Sequence, residues 1–188
     1  YTITHAIEDK NVLRFHVDYF KPDETKDITA EGTIKKQAIV KTIMSKHDAA
    51  TNGRRFNAFL ATSSINDAIE YYHLFKKAQK AEADCEPLNI ACVFTPPAEG
   101  NKDIMKMQED LTQERQDNLI EPEKKKRALQ EILKDYEQLF GSHFTINDFD
   151  VYYQDVQKRI KDQKYSNKDY PHRNKIDITI VVDMLLTG

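Results

Sequence analysis

The sequence contains no tryptophan, two cysteines, no apolar run long enough to span a bilayer and no excess of positive charge. Each absence removes a class of function. Cys85 and Cys92 form no C-x-x-C and no paired histidine spacing accompanies them, so no zinc ligand set can be drawn and a reducing compartment is expected. The opening Tyr1-Thr-Ile-Thr-His-Ala-Ile7 carries no signal-peptide pattern, and no membrane association is expected. Lysine and arginine number 28 against 31 acidic residues, a net charge of −3. A domain that grips nucleic acid alone is usually basic, so any DNA contact here is expected to be local and shared with another domain. The six histidines are scattered, with no metal pair and no Ser/His/Asp arrangement. Without an acid, base and nucleophile constellation, a complete small α/β enzyme is not supported.

What is present suits one domain, or one domain with a substantial insertion: 188 residues, 39% hydrophobic and 31% charged. The high charge and absent tryptophan predict polar helix or mobile loop around a smaller packed unit. The best strand is the last, Ile176 to Val182, a short β-branched run with the composition of a central strand buried on both faces of a parallel sheet. The chain begins at Tyr1 rather than methionine and stops at Gly188 just after that strand, so an excised piece is expected.

Along the chain, Asn11 to Phe20 alternates apolar and polar residues as a half-buried edge strand does, and Lys21 to Asp27 reads as a loop. Thr33 to about His47 spaces Ile34, Ala38, Ile39, Ile43 and Met44 on one helical face, with Lys35, Lys36 and Lys41 elsewhere, and the helix breaks at Asn52-Gly53. Phe56 to Ser64 is a second strand running directly into a helix, with Ser64 and Asp67 resembling a capping box. That helix carries the stripe Ile65, Ala68, Ile69, Tyr72 and Phe75 or Lys76. Pro87 to Thr95, closed by Pro96-Pro97, is a third strand; strand, helix and strand of these lengths predict a right-handed βαβ crossover. From about Ala98 to Ser142 the texture changes, with Lys102 to Leu119 and Pro122 to Phe140 reading as two charged helices in an insertion. The second has Pro122 in its first turn, Leu129, Ile132, Leu133, Tyr136 and Phe140 on one face, and Gly141 as its stop. Asp148 to Lys161 is a further helix, turning in Phe149, Tyr152 or Tyr153, Val156 and Ile160, and Gln163 to Asn174 a polar loop.

This order resembles the second RecA-like motor domain of the R subunit of type I restriction enzymes, a superfamily 2 translocase. The likeness rests on Arg55-Phe-Asn-Ala-Phe-Leu-Ala-Thr-Ser-Ser-Ile65 as motif IV with its strand, Ile90-Ala-Cys-Val-Phe-Thr95, Tyr152 to Lys161, and Asp177-Ile-Thr-Ile-Val-Val-Asp-Met-Leu-Leu-Thr-Gly188 as the start of motif V. It implies an α/β, RecA-like three-layer fold: a parallel sheet flanked by helices, with a helical insertion at 98–148 and truncation within motif V at Gly188. It also implies a parent chain that is an ATP-dependent type I site-specific deoxyribonuclease of the bacterial cytoplasm. Its expected partners are duplex DNA and the methyltransferase and specificity subunits. ATP and Mg²⁺ would be bound mainly by the first motor domain. No G-x-x-x-x-G-K-[ST] occurs in this chain, and it stops before the arginine-bearing motif VI. The piece alone is therefore expected to hold no cofactor, hydrolyse no ATP and cut no DNA.

The candidate site residues follow. Thr62, Ser63 and Ser64 at a helix start offer hydroxyl and N–H donors to a DNA phosphate, against the plainer reading in which Ser64 only caps its helix. Thr95 is a weaker phosphate candidate. Asp183, Thr187 and Gly188 would couple nucleotide state to DNA grip within motif V, the alternative being an ordinary strand-end turn. Lys124 to Arg127 reads as a solvated face, Arg159 and Lys161 as better placed to meet a backbone, and the Tyr71-Tyr72 and Tyr152-Tyr153 pairs as half-buried helix faces. A rival reading is a non-enzymatic α/β regulatory or scaffold domain whose helical insertion docks a protein partner.

Overall fold

The computed structural model describes residues 2–10, 31–81, 86–161 and 174–183. In chain order the elements are α1 (Ile3–Glu8), α2 (Glu31–Ala50), β1 (Ala58–Ala61), α3 (Ile65–Ala81), β2 (Ile90–Val93), α4 (Lys102–Met107), α5 (Thr112–Asp117), α6 (Pro122–Phe140), a 3-10 turn (Ile146–Asp148), α7 (Phe149–Lys161) and β3 (Ile178–Val181). The strand expected at Asn11 to Phe20, the loop that follows it, most of the Gln163 to Asn174 loop, Cys85, Thr187 and Gly188 lie outside the described residues.

The last strand takes the central place in the sheet. The order is β1-β3-β2, and both neighbours run parallel to β3. Register sets Ala58 and Ile90 against Ile178, and Ala61 and Val93 against Val181, so the three strands end level. All four residues of β3 and of β2 are buried, as a parallel strand covered on both faces requires. Cover thins at β1, where Phe59, sharing a face with Thr179 and Ala91, is 45% exposed.

The helices follow from their apolar spacing. In α3, Ser64 Oγ accepts the Asp67 N–H at 3.1 Å, and the stripe Ile65, Ala68, Ile69, Tyr72 and Phe75 is buried against β2, β3 and α2. α2 ends where Asn52 and Gly53 take left-handed backbone at φ 55° and 65°. α6 opens on Pro122 and stops at Gly141, φ 71°, whose N–H donates to Glu137 O at 2.8 Å. Its buried face is Leu129, Ile132, Leu133 and Tyr136. The Tyr136 ring meets Phe140 at 4.6 Å and Tyr152 of α7 edge-on at 5.0 Å between centroids, and its hydroxyl donates to Asp155 at 2.7 Å. Tyr152 in turn donates to the β2 carbonyl of Cys92 at 2.9 Å, which ties α7 to the sheet.

Three expectations need correction. Lys102 to Leu119 is not one helix. It is α4 and α5, parted at 108–111 because the Gln108 side chain turns in to donate to Thr95 Oγ1 and Pro96 O, at 3.0 and 2.9 Å. The Lys124 to Arg127 run is not wholly solvated: Lys125 is fully buried and its ammonium donates to the Ile120 carbonyl, while burial lowers its pKa. Arg159 is not poised for an outside partner, since it bonds Asp155 and the Asn174 carbonyl, each at 2.9 Å, and lies 4.2 Å from the Phe140 ring centre. Of the alternatives left open, Tyr152 rather than Tyr153 and Phe75 rather than Lys76 are the buried residues.

Candidate functional site

Because β1, β3 and β2 end in register, the residues just beyond them gather along one edge of the sheet. Thr62 to Ser64 follow β1, Thr95 follows β2 and Asp183 follows β3. This carboxyl edge is where open parallel sheets carry ligands. Three separated stretches of sequence meet there, and no single stretch would make the edge alone.

The hydroxyls at the β1 end are engaged within the chain. Thr62 Oγ1 donates to Val181 O at 3.0 Å, which straps β1 to β3. Ser63 donates to the Asp67 carboxylate, and Ser64 caps α3. Lys36 of α2 bonds both Asp67 and Glu70, at 2.6 and 2.5 Å. The Lys36 hydrogen bond, aided by Ser63 and Ser64, holds the Asp67 carboxyl below the usual range. Burial pulls the Lys36 amine down, and the two carboxylates outweigh it, leaving its pKa raised. Lys36 sat in the sequence as one lysine on the polar side of a helix, with nothing local to mark its partners.

The other two strand ends are joined by a residue that the sequence did not mark. Glu114 of α5 is fully buried; its Oε2 accepts the Thr95 N–H at 2.6 Å and the Thr95 hydroxyl at 2.9 Å, and its Oε1 accepts the Asp183 N–H at 3.2 Å. Asp183 returns the contact, its Oδ2 accepting the Gln113 and Glu114 N–H groups at 2.8 and 3.3 Å. Asp117 reaches the start of α3, where its Oδ2 accepts the Ile65 N–H at 2.6 Å. Asn118 completes the seat by donating to Thr95 O at 2.8 Å, while its own Oδ1 is buried with no hydrogen-bond partner.

At this edge backbone N–H groups and hydroxyls donate to the chain's own carboxylates, those of Asp67, Glu114, Asp117 and Asp183. Among the described residues no group of three or more His, Cys, Asp or Glu side chains is arranged to hold a metal ion. Cys92 is no nucleophile candidate: it is wholly buried, and burial pushes its thiol pKa up. A cavity of about 920 Å³ lies between α6 and the segments around Pro96–Asn101 and His143–Asn147, and none of Thr62, Ser63, Ser64, Thr95 and Asp183 lines it. No helix among the described residues is long and apolar enough to cross a membrane.

Comparison with known proteins agrees with the sequence. Residues 54–188 match the family described as type I restriction enzyme subunit R domain 3. The chain is 30% identical over its whole length to the type I restriction enzyme SauCOLORF180P endonuclease subunit of Staphylococcus aureus (strain COL), covering 19% of that protein. It is 31% identical, again over its whole length, to the SsaAORF53P endonuclease subunit of Staphylococcus saprophyticus, covering 20% of it. It thus spans about a fifth of the length of these curated relatives. A family match over most of the chain, with end-to-end similarity to these subunits, means that the chain belongs to the type I restriction enzyme R subunit family.

Proposed function

We propose that this chain is part of the second RecA-like motor domain of a type I restriction R subunit, and that its sheet edge grips the phosphates of duplex DNA during ATP-dependent translocation in restriction of foreign DNA. The observation that carries the reading is the meeting of Thr62 to Ser64, Thr95 and Asp183 on one parallel edge, level with the start of α3. On this reading residues 98–148 are a helical insertion. Thr187 and Gly188 belong to motif V. ATP and Mg²⁺ are held mainly by the other motor domain. The methyltransferase and specificity subunits are the proposed protein partners, DNA site recognition lying with the latter, and the bacterial cytoplasm the compartment. The chain's own part is positional: it presents donors to a backbone and closes on nucleotide held elsewhere.

The test uses the full-length R subunit. Its affinity for duplex DNA without a recognition site is measured by fluorescence anisotropy across a salt series. Binding is expected to fall steeply with salt, as phosphate contact requires, and Ser63→Glu is expected to weaken it roughly tenfold through like-charge repulsion. Binding indifferent to both salt and that substitution would overturn the reading.

A further inference from the structure

The donors that the sheet edge would turn toward a phosphate are already occupied by carboxylates of the chain itself. We propose that Glu114 and Asp117 act as internal stand-ins for phosphate oxygens, so that α5 closes the edge and must be displaced before an external phosphate group can bind there. The inference rests on the reading under "Proposed function" and adds a gate to it.

Two observations carry it. The first is the match of donors. Glu114 takes the N–H and hydroxyl of Thr95 after β2 and the N–H of Asp183 after β3, and Asp117 takes the N–H of Ile65 at the first turn of the 17-residue α3. The strand-end donors thus meet on the Glu114 carboxylate and the helix-start N–H on the separate Asp117 carboxylate, and N–H groups of both kinds are the donors by which such edges hold phosphate. A phosphate and these carboxylates compete for the same donors, and their like charges keep them from sharing the edge.

The second observation is how α5 is held. Within Thr112–Asp117 the one buried residue is Glu114, and the apolar contact of the segment is limited to the half-buried Leu111 at its start. Hydrogen bonds seat it, and each is worth little net because water or another acceptor replaces it. The seat is also incompletely satisfied: Asn118 is 6% exposed, and its Oδ1, beside Thr95, is buried without a partner. Burying an unpaired acceptor is unfavourable, and lifting the segment relieves that cost. An element seated chiefly by hydrogen bonds, with little apolar contact and one buried acceptor left unpaired, is suited to exchange.

The experiment uses the full-length R subunit as wild type and as the double variant Glu114→Gln with Asp117→Asn. Duplex affinity is measured by anisotropy over a salt series. Hydrogen exchange of the amides in 108–118 is followed in the wild type with duplex alone, with ATP alone, and with neither. The double variant is expected to bind duplex about tenfold tighter, since two competing negative charges are gone. Wild-type 108–118 is expected to lose protection when the phosphate ligand is added. Loss with duplex alone identifies backbone phosphate as the competitor, and loss with ATP alone identifies the nucleotide. Should the double variant fail to fold, the wild-type exchange decides by itself. If duplex binding is steep in salt and weakened by Ser63→Glu, yet 108–118 stays protected under both ligands, the gate is wrong and the grip reading stands. If the wild type ignores duplex altogether, the grip reading fails and the ATP arm alone upholds or overturns the gate.

Discussion

The middle of the sheet and its carboxyl end are only two residues apart along each strand, and they are built on opposite principles. At Ile178, Ile180 and Val181, and at Ile90, Cys92 and Val93, side chains are buried in an apolar core between helices. At Thr62, Thr95 and Asp183, polar groups are held by named hydrogen bonds. Apolar burial is additive and non-directional, so the middle is a rigid base. Hydrogen bonds are directional and cheap to exchange, so the end is where a ligand or a displaced segment can be accommodated. The contrast recurs within 98–148: α6 is anchored by an apolar face, and α5 by carboxylates.

The largest effect expected from testing this contrast lies in α6. Leu129→Ala removes a fully buried side chain and should cost about 3 kcal/mol, the usual range for a leucine cavity, read as a lowered urea midpoint with unchanged slope. A loss below about 1 kcal/mol would mean that α6 is not part of the cooperative core, and the contrast between α5 and α6 would collapse.

That contrast also decides what could be read from the sequence. The buried faces of α3 and α6, the central place of β3 and the stops at Gly53 and Gly141 were legible, because apolar burial leaves a period and left-handed turns leave a glycine. The split between α4 and α5 was not. Glu114 joins Thr95 and Asp183 across 19 and 69 residues, and Gln108 turns in to reach Thr95; single hydrogen bonds leave no periodicity. The segment 102–119 therefore looked like one charged helix. Lys125 was hidden in the same way, its three cationic neighbours suggesting a solvated face while its side chain is buried and its ammonium bonds the Ile120 carbonyl. The candidate edge itself was half legible: the strand-end residues were marked, and the carboxylates that occupy their donors were not.

A smaller effect is expected at the polar end, as a response to pH. The Asp67 carboxyl is depressed, chiefly by its hydrogen bond to Lys36. A carboxyl depressed on folding contributes stability that is complete above its unfolded value of about 3.9 and is lost as pH falls through the folded value. Lys36, whose pKa is raised, contributes below its unfolded value of about 10.4 and loses that contribution as pH rises through the folded one. Lys36→Met should bring the Asp67 titration back toward the ordinary range in a carboxyl NMR titration. An unmoved Asp67 would assign the depression to the Ser63 and Ser64 hydrogen bonds instead, and make the β1 end independent of α2.

The smallest effect is the most discriminating, because it tests the one polar side chain set in the middle of β3. Thr179 is fully buried, pairs in register with Phe59 and Ala91, and its hydroxyl has no hydrogen-bond partner. Valine keeps its shape and β-branching and removes the unpaired group. If the middle of the sheet is a purely apolar base, Thr179→Val should stabilise the protein by about 1 kcal/mol, seen as a rise of a few degrees in Tm. A loss of similar size would mean that the Thr179 hydroxyl is satisfied by a bound water or by an approaching group. The polar character of the edge would then extend inward along β3 on the face where Phe59 leaves the sheet half open, and the boundary between base and grip would lie deeper than the ends of the strands.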